Sequence, residues 1–345
     1  MDHYDIVVIG AGPAGCMFVH QLDKDFRVLV VERQSLPARK ICGGLLTEES
    51  IDFLASHQLT LPSYVYSRPK QLKKMYVYVD KNLETDGGSV YNIDRNQFNR
   101  WMWSLIENKA EVVDQTSLKK ITHQKKTTVL RLHNHHKNQD IDVSCEYLIG
   151  ADGVLSRVRR QIQAPVANKY LAIQEYGQCT GNVDQLRLLF TKSFIDHFIW
   201  VMPKGEVTVF GLPFPYIPSQ RVDFDKMKQA QDLVEKNMKI TIDCQHRDGF
   251  LVTIPKSLEE LSLGKNNTLL IGEAAGWISP RSGDGISFAL RSSSACAEAF
   301  NTDASSALQK YSNNVQDLRE EFIEKLESFL QIQQRIHDYK KKHGL

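Results

Sequence analysis

Cysteine is scarce in this chain, and its spacing is irregular. The sequence holds 6 cysteines, and no two of them form a Cys-x-x-Cys pair. A zinc site or a disulfide framework needs paired or closely spaced cysteines, so neither is predicted, and we expect reduced thiols. Three histidines (His133, His135 and His136) fall on a polar turn, where histidines usually face solvent and lack the fixed partners of metal ligands. We therefore predict no metal site. The cysteines are Cys16, Cys42, Cys145, Cys179, Cys244 and Cys296.

Neither sign of charge dominates, and long hydrophobic runs are missing. Lys and Arg number 43 against 41 Asp and Glu, for a formal net charge of +2, so no global attraction for nucleic acid is predicted. No run approaches the roughly 18 apolar residues that a membrane span requires. No basic-then-apolar leader precedes the first predicted strand. These absences predict a cytoplasmic protein without a nucleic-acid partner.

The bulk composition is that of an ordinary globular protein. The chain has 345 residues, of which 42% are hydrophobic. That length accommodates two domains or one large interleaved one, and the apolar fraction is ample for a substantial core.

The most informative segment is the N-terminal one. An apolar run at 6–9 predicts a buried parallel strand, and Gly10-Ala-Gly12-Pro-Ala-Gly15 follows it and opens a helix. Gly10 permits a tight turn, Gly12 lets backbone N–H groups approach a pyrophosphate, and Gly15 lets the helix pack on the strand. A second apolar run ends on Glu32, whose carboxylate suits a ribose hydroxyl. The order predicts a dinucleotide site at a helix N-terminus, with a purely structural glycine turn as the alternative.

A second glycine-containing loop follows. The sequence Lys40-Ile-Cys42-Gly43-Gly44 lies just before a helix start that Thr47 marks. Two adjacent glycines let the main chain come close to something flat. Cys42 is then either a group beside a flat ligand or a small buried thiol in a loop, and the residues alone leave both interpretations open.

The chain then makes an excursion into a second predicted sheet. Residues 72–79 and 88–93 predict strands joined by a turn at Asp86-Gly87-Gly88. Asp94-Arg95 begins a helix whose aromatic face predicts core packing. That face consists of Phe98, Trp101, Met102 and Leu105, and a short strand near 111–113 and a hairpin of 127–132 with 140–143 follow.

Another strand leads into Gly150-Ala151-Asp152-Gly153, and a basic helix begins behind this turn. Asp152 is unsuited to apolar packing, so it either supports a ligand through the turn or caps the helix.

From 169 to 212 the pattern predicts a long antiparallel sheet that supplies walls to a site, because it carries no phosphate or metal motif. Its predicted strands are 170–173, 186–190, 197–202 and 206–212, followed by a helix at 223–238 and a strand at 250–254.

A third glycine-rich segment is predicted to belong to the same fold as the N-terminal glycine motif. Gly272-Glu273-Ala-Ala-Gly276 follows a buried strand, and Pro280-x-x-Gly283-x-Gly285-Ile286 leads into a helix that begins near Gly285. The free N–H groups and positive dipole end of that helix suit an electron-rich ring.

The tail from 303 to 339 is predicted to be helical. Its apolar residues recur at three- and four-residue spacing, which predicts helices packed on the body, with a dimerising coil as the alternative. The basic end Lys340-Lys-Lys-His either touches an anionic surface or is a frayed terminus. The apolar positions are Leu308, Tyr311, Val315, Leu318, Phe322, Leu326 and Phe329.

Taken in this order, the motifs resemble those of the FAD-dependent oxidoreductases built like para-hydroxybenzoate hydroxylase. The Cys42-Gly-Gly loop and the 280–286 turn are similar to the geranylgeranyl reductase branch and to the CbrA-like flavoproteins. The resemblance covers roughly 3–300 and implies an α/β fold, with a Rossmann-like FAD-binding domain interleaved with an antiparallel β-sheet substrate domain, plus C-terminal helices. The implied boundaries are 1–70, 94–160 and 262–300 for the FAD-binding domain, 71–93 and 161–261 for the substrate domain, and 301–345 for the C-terminal segment.

The resemblance also implies roles for individual residues. The first three glycines would hold the pyrophosphate and Glu32 the ribose, while Arg95 would reach the phosphate and ribityl region. The family usually has Asp at the position of Glu273. Glutamate keeps the carboxylate as hydrogen-bond acceptor, but its side chain is one methylene longer. Cys42 is the implied catalytic residue, a proton donor beside the reacting alkene. The implied cofactor-binding residues are Gly10, Gly12, Pro13, Ala14, Gly15, Glu32, Arg33, Cys42, Gly43, Gly44, Arg95, Leu118, Ala151, Asp152, Gly153, Gly272, Glu273, Ala274, Gly283, Gly285 and Ile286.

The leading hypothesis is an FAD-dependent reductase of a carbon–carbon double bond in a prenyl or other apolar, lipid-like substrate. No second Gly-x-Gly-x-x-Gly unit is present, so NADPH or NADH would dock transiently as electron donor. Two alternatives remain: a monooxygenase acting on an aromatic or antibiotic-like molecule, and a non-enzymatic flavin-binding protein with peripheral membrane contact through its tail. The sequence predicts neither the substrate nor the oligomeric state, because fold analogy alone carries the substrate hypothesis.

Overall fold

The computed structural model describes residues 1–23, 25–78, 88–125, 127–191, 197–219 and 221–343. The turn predicted at Asp86-Gly87-Gly88 begins outside these residues, and the strand predicted at 72–79 ends outside them. The described parts form two eight-stranded sheets and eight α-helices. No helix in these parts is both long and apolar enough to cross a bilayer.

The elements follow one another along the chain as follows. The strands are β1 (Asp2–Ile9), β2 (Val28–Val31), β3 (Leu45–Leu46), β4 (Tyr66–Tyr78), β5 (Ser89–Ile93), β6 (Glu111–Val113), β7 (Thr116–His123), β8 (Thr128–Asn134), β9 (Gln139–Gly150), β10 (Lys169–Thr180), β11 (Leu186–Phe190), β12 (Phe198–Lys204), β13 (Val207–Pro215), β14 (Thr241–Thr253), β15 (Gly264–Lys265) and β16 (Thr268–Leu270). The helices are α1 (Pro13–His20), α2 (Glu48–Ser56), α3 (Arg95–Ser104), α4 (Arg157–Gln161), α5 (Phe224–Met238), α6 (Ile286–Asp303), α7 (Ala307–Asn314) and α8 (Gln316–His343).

The first sheet has the order β15-β16-β9-β1-β2-β6, and β8 and β7 extend it from the antiparallel part of β9. Strand β1 pairs in parallel with β2 on one side and β9 on the other. A central parallel strand is covered on both faces, which explains why successive side chains from Ile6 to Ile9 are all apolar and buried. Helices α1 and α6 pack together through Phe18 and Phe300, whose ring centroids are 5.6 Å apart. The predicted Rossmann-like unit is confirmed.

The second sheet has the order β14-β10-β13-β12-β11-β4-β5-β3. Its pairs are antiparallel as predicted, except that β4 and β11 run in parallel. These two strands are separated by the whole β6–β9 part of the first sheet, so no hairpin imposes an antiparallel direction on them. The sheet also takes Leu45–Leu46 and starts β4 at Tyr66, so it includes residues before 71, where the sequence places the start of this domain.

The two faces of the second sheet have different partners. Helix α5 covers one face, where Phe210 and Leu212 pack with Met227 and Val234. The other face carries Met202, whose side chain approaches Gly43 of the Cys-Gly-Gly loop. This inner face therefore lies against the loop that joins the two sheets.

The C-terminal helices pack on the body, as the first of the two sequence interpretations predicts. Phe329 lies against Tyr170 and Ile254 of the second sheet, while the preceding positions join the main core of the first. The Nε1 of buried Trp277 donates a hydrogen bond to the Tyr311 hydroxyl at 3.1 Å. The buried positions are Tyr311, Val315, Leu318, Phe322 and Leu326.

Candidate functional site

Four parallel strands of the first sheet end at one edge. Strands β1, β2, β9 and β16 run in the same direction, so their carboxyl ends lie side by side. The turns after them contain the first glycine motif, Glu32, the 150–153 turn and the 272–276 turn. Backbone hydrogen bonds from Gly10 N–H to Val31 O (2.8 Å) and from Ala151 N–H to Ile9 O (2.8 Å) tie three of these turns together. Ligands of open parallel sheets bind at such an edge.

The first glycine motif forms a cradle at the N-terminus of α1. Gly10 has φ +109°, and a Cβ there would strike the Ala151 carbonyl. Gly15 abuts the Gly10 carbonyl, so any side chain there would force strand and helix apart. Apart from the two adjacent residues, no atom of the described residues lies within 4 Å of the position that a Cβ on Gly12 would take. Pro13 occupies the first turn of α1, whose free N–H groups open onto this space. The cradle fits a pyrophosphate.

The acid after β2 faces the glycine loop. Glu32 is buried, and its Oε2 accepts a hydrogen bond from Ala11 N–H at 2.9 Å, while Oε1 accepts one from Gln34 N–H at 2.9 Å. The carboxylate is thus held beside the cradle with lone pairs to spare for a ribose hydroxyl. Arg33, by contrast, is exposed. The predicted position of Glu32 is confirmed, and its contact with a ribose stays a prediction.

The Asp152 side chain binds the N-terminus of α4, in line with the capping interpretation, although the N-cap residue of that helix is Ser156. Its carboxylate accepts hydrogen bonds from the Ser156 hydroxyl at 2.5 Å and from the N–H groups of Arg157 at 2.6 Å and Val158 at 3.2 Å. Burial raises the pKa of this carboxyl, and these hydrogen bonds oppose the rise. The cap shapes the Ala151-Asp-Gly153 turn, so Asp152 can support a ligand through that turn only indirectly.

Leu118, another implied cofactor residue, lies on β7. Its side chain is buried in the main core, and its carbonyl accepts a hydrogen bond from Arg157 Nη1 at 2.6 Å. The adjoining Thr116 N–H donates to the Glu32 carbonyl at 2.8 Å, which places this part of β7 beside the acid.

The 272–274 turn joins three parts of the chain. A Cβ on Gly272, which has φ +56°, would come 2.8 Å from the Cβ of Ala14 in α1. Both oxygens of Glu273 are occupied: Oε1 accepts from Thr253 N–H at 2.9 Å, and Oε2 pairs with Lys40 at 3.0 Å. Glu273 therefore ties the second sheet to the loop before Cys42. The ribityl contact implied for Glu273 remains a prediction, and Ala274 is fully buried.

The N-terminus of α6 differs from the expectation of free N–H groups. Asp284 Oδ1 accepts hydrogen bonds from Ile286 N–H at 3.2 Å and Ser287 N–H at 3.3 Å. Burial raises the pKa of the Asp284 carboxyl, while these two amides and Lys325 oppose the rise. Helix amides that were expected to face an electron-rich ring are thus already engaged by a carboxylate. Gly283, with φ +71°, has open space around it.

The Cys-Gly-Gly loop places its thiol among cations. Cys42 Sγ accepts a hydrogen bond from Gly44 N–H at 3.4 Å. Burial favours the neutral thiol, but Arg95, the Gly44 amide, Lys40 and Lys204 outweigh burial and lower the pKa of Cys42 below its ordinary value. The loop therefore presents a thiol that gives up its proton readily.

Arg95 lies at the start of α3 with a fixed side chain. Its Nε donates to Asn99 Oδ1 at 3.0 Å, and Asn99 in turn donates to the Ala38 carbonyl at 2.7 Å. Its two terminal nitrogens have no hydrogen-bond partner among the residues that the structure describes. A buried guanidinium with free donors suits phosphate or hydroxyl oxygens. Arg95 thus fits its implied role.

Sequence reasoning missed the residues that the second sheet adds to the site. Lys204, at the end of β12, donates to the carbonyl oxygens of Gly43 at 2.7 Å and Gly44 at 3.0 Å. Gln174 of β10 is buried, with its amide nitrogen 3.7 Å from the position of a Cβ on Gly43, and its Oε1 accepts from the Tyr176 hydroxyl at 2.9 Å. The sequence signals were weak: a lysine that ends the apolar run of β12, and a glutamine within β10.

An aromatic row crosses the inner face of the second sheet. The ring centroids of Tyr76 and Phe190 are 5.7 Å apart, those of Phe190 and Phe198 5.7 Å, and those of Phe198 and Trp200 6.2 Å. All four side chains are partly exposed. Met202 continues the row from β12 to the Gly43 main chain. The wall beside the thiol is apolar. The described residues contain no group of three His, Cys, Asp or Glu side chains placed to hold a metal ion.

Known proteins resemble this chain over most of its length. The family model of the FAD binding domain matches residues 3–324. Protein CbrA of Escherichia coli strain K12 is 30% identical over 300 residues, which are 85% of this chain and 82% of that protein.

Two solved structures share the fold at low sequence identity. A geranylgeranyl bacteriochlorophyll reductase-like protein from Thermoplasma acidophilum has a TM-score of 0.79 and 19% identity, covering 96% of this chain and 88% of that one. PqsL of Pseudomonas aeruginosa, a probable FAD-dependent monooxygenase, has a TM-score of 0.72 and 15% identity, with 99% of both chains covered. At such identities the likeness establishes the fold alone.

Proposed function

The chain belongs to the FAD-binding-domain family and is related to the CbrA proteins, and from this premise we propose that it is an FAD-dependent oxidoreductase that reduces carbon–carbon double bonds of a prenyl or other apolar substrate. The observation that carries the proposal is that one loop holds a thiol of lowered pKa and also contacts the apolar inner face of the second sheet. Cys42 lies on a loop whose next residue, Gly43, approaches Met202 of that wall.

The residues along the strand edge would hold FAD. The open space at Gly12 and the N-terminus of α1 would take the pyrophosphate, Glu32 the adenosine ribose, and Arg95 the phosphate or ribityl oxygens. A bound flavin supplies hydride chemistry, which no amino-acid side chain can provide. The protein's own part is to bind, to orient and to exclude water.

The substrate would lie against the inner face of the second sheet. Tyr76, Phe190, Phe198 and Trp200 offer aromatic area that suits a prenyl chain better than a polar metabolite. The T. acidophilum protein of similar fold is described as geranylgeranyl bacteriochlorophyll reductase-like, but its likeness to this chain extends to the fold alone, so the aromatic area is what supports this substrate class.

Saturating a double bond also needs a proton, and we assign its delivery to Cys42. With hydride supplied to one alkene carbon by bound reduced flavin, the Cys42 S–H bond would break and its proton would bond to the other carbon. The thiolate left on sulfur is stabilised by Arg95, Lys40 and Lys204 and regains a proton from water. The nearby cations thus favour proton release at neutral pH.

An anaerobic absorbance experiment tests the proposed reaction type. We expect purified protein loaded with FAD to bleach near 450 nm, about where oxidised flavin absorbs, on addition of NADPH and to reoxidise slowly when air is admitted without substrate. Geranylgeranyl diphosphate should then be reduced under anaerobic conditions. Protein that stays oxidised until an aromatic compound is present, and then consumes oxygen, would be a hydroxylase and would contradict the reductase proposal.

Replacing Cys42 with serine tests the proton donor. A hydroxyl is far less acidic than this thiol, so we expect C42S to keep FAD and to lose about tenfold or more of prenyl reduction per flavin. The matched control is C179S, which changes a partly exposed cysteine on β10 and should keep parental turnover. Full turnover by C42S would remove Cys42 from the chemistry.

A further inference from the structure

Lys204 sits at the junction of the two sheets and the Cys-Gly-Gly loop. Its Nζ lies 2.7 Å from Gly43 O, 3.0 Å from Gly44 O, 2.7 Å from Asn92 Oδ1 and 2.8 Å from Ile93 O. An ammonium group has three protons, so four oxygens satisfy it completely. These contacts bind the end of β12 to the loop and to the end of β5.

The oxygen cage around this ammonium is built in advance. Asn92 is fully buried, and its Nδ2 donates to the Pro203 carbonyl at 3.1 Å, which turns its Oδ1 toward Lys204. Gly44 has φ +67°, and a Cβ there would strike the Ile93 carbonyl and Lys204 itself. The second glycine of the motif therefore makes room for the lysine as well as for the turn.

The charge of Lys204 acts on Cys42. Burial lowers the pKa of Lys204 to about 8, while Cys42 and Asp94 partly oppose this change. In return, Lys204 is one of three cations that lower the pKa of Cys42, the others being Arg95 and Lys40. Tyr176 also interacts with the thiol, and its pKa is raised to about 12 by burial, by Asp248 and by Cys42, so it stays neutral.

We propose that Lys204 is a positioning residue for Cys42, which holds the Gly43–Gly44 main chain through its hydrogen bonds and stabilises the Cys42 thiolate through its charge. The proposal rests on the proposed function only in taking Cys42 as the reactive group of the site. Lys204 itself need touch neither substrate nor cofactor. Through Lys204, the second sheet influences the pKa of the Cys42 thiol on the Cys-Gly-Gly loop.

Alkylation of Cys42 by iodoacetamide measures this effect without turnover. The background is the FAD-loaded C179S/C244S protein, because Cys16, Cys145 and Cys296 are buried and Cys42 is then left as the accessible thiol. Peptide mass spectrometry assigns the modified site, and the rate is followed from about pH 5.5 to about pH 9.5, since only the thiolate reacts. In the parent, the charges of Lys204 and of the thiol influence each other, so the profile should be broader than that of one group.

Two variants separate charge from hydrogen bonding. K204M removes both, and K204Q removes the charge but keeps an N–H donor. Removing a cation destabilises the thiolate, so we expect the apparent pKa of Cys42 to rise in both variants and the rate at pH 7 to fall about threefold to tenfold. The charge-matched control K236M lies on α5, which covers the opposite face of the sheet, and should match the background protein.

Three results would overturn the proposal. One is a pH profile in K204M and K204Q that coincides with the parental profile. Another is faster alkylation at every pH with an unchanged midpoint, which would mean that Lys204 only shields the thiol. The third result applies if K204M loses FAD or its circular-dichroism signal. K204Q is then the deciding variant, and a pH midpoint in K204Q equal to the parental midpoint would overturn the proposal. A protein that fails to reduce prenyl substrates but shows the predicted shift would refute the proposed function and retain this role of Lys204.

Discussion

Replacing Gly12 with valine is expected to remove tight FAD binding and to leave the polypeptide folded. Gly12 has φ −75° and ψ −177°, an extended conformation that valine readily adopts, and no described residue beyond its two chain neighbours comes within 4 Å of its missing Cβ. The new side chain would fill space that the pyrophosphate needs at the N-terminus of α1. We expect the dissociation constant of FAD, measured by quenching of flavin fluorescence, to rise at least about 100-fold, or about 3 kcal/mol.

Two other glycines provide matched Gly→Val controls. A Cβ on Gly249 of β14 would lie 3.5 Å from Leu171 and 3.9 Å from the Ala172 carbonyl, both ordinary contacts within the second sheet, so G249V should keep parental FAD affinity. Gly15 abuts the Gly10 carbonyl, so G15V should unfold the protein as well as release FAD. The apo forms are compared by thermal melting, because bound FAD itself adds stability. Parental FAD affinity in G12V would exclude this cradle as the pyrophosphate site.

The elements that sequence reasoning placed well are those whose signals are local. A strand, a glycine turn and a helix follow one another without interruption in the first 20 residues, so their arrangement needed no knowledge of the rest of the chain. The same holds for Thr47, which was predicted to start a helix and accepts a hydrogen bond from Ser50 N–H at 3.4 Å. The parallel direction of the first sheet then brings the ends of distant segments to one edge.

The contributions that sequence reasoning missed come from segments far apart in the chain. Lys204 meets Gly43 only because β12 pairs into a sheet whose inner face lies against the loop, and no spacing in the sequence records that meeting. The parallel pair of β4 with β11 is of the same kind. Asp284 is different, since an acid two residues before a helix start is a local capping signal that was available in the sequence.

Replacing Phe322 with alanine is expected to show that α8 belongs to the core. Phe322 is fully buried, with its ring centroid 5.9 Å from that of Trp277 and 6.3 Å from that of Phe288. Removing an aromatic side chain from such a position leaves a cavity, so F322A should lower the free energy of unfolding by about 3 to 5 kcal/mol in urea denaturation. The control L330A, on the same helix but 40% exposed, should change it by less than about 1 kcal/mol.

The same substitution should also weaken FAD binding, because the two rings that Phe322 contacts lie in or beside the segments that we propose as part of the cofactor site. Trp277 follows the 272–276 turn directly, and Phe288 lies in the first turn of α6, next to Gly285 and Ile286. If α8 holds both segments in place, F322A should release FAD at a lower temperature than L330A in a flavin-fluorescence melt, with the release preceding or coinciding with unfolding. A tail that served only as a dimerising coil would instead give parental stability in F322A and a change in sedimentation.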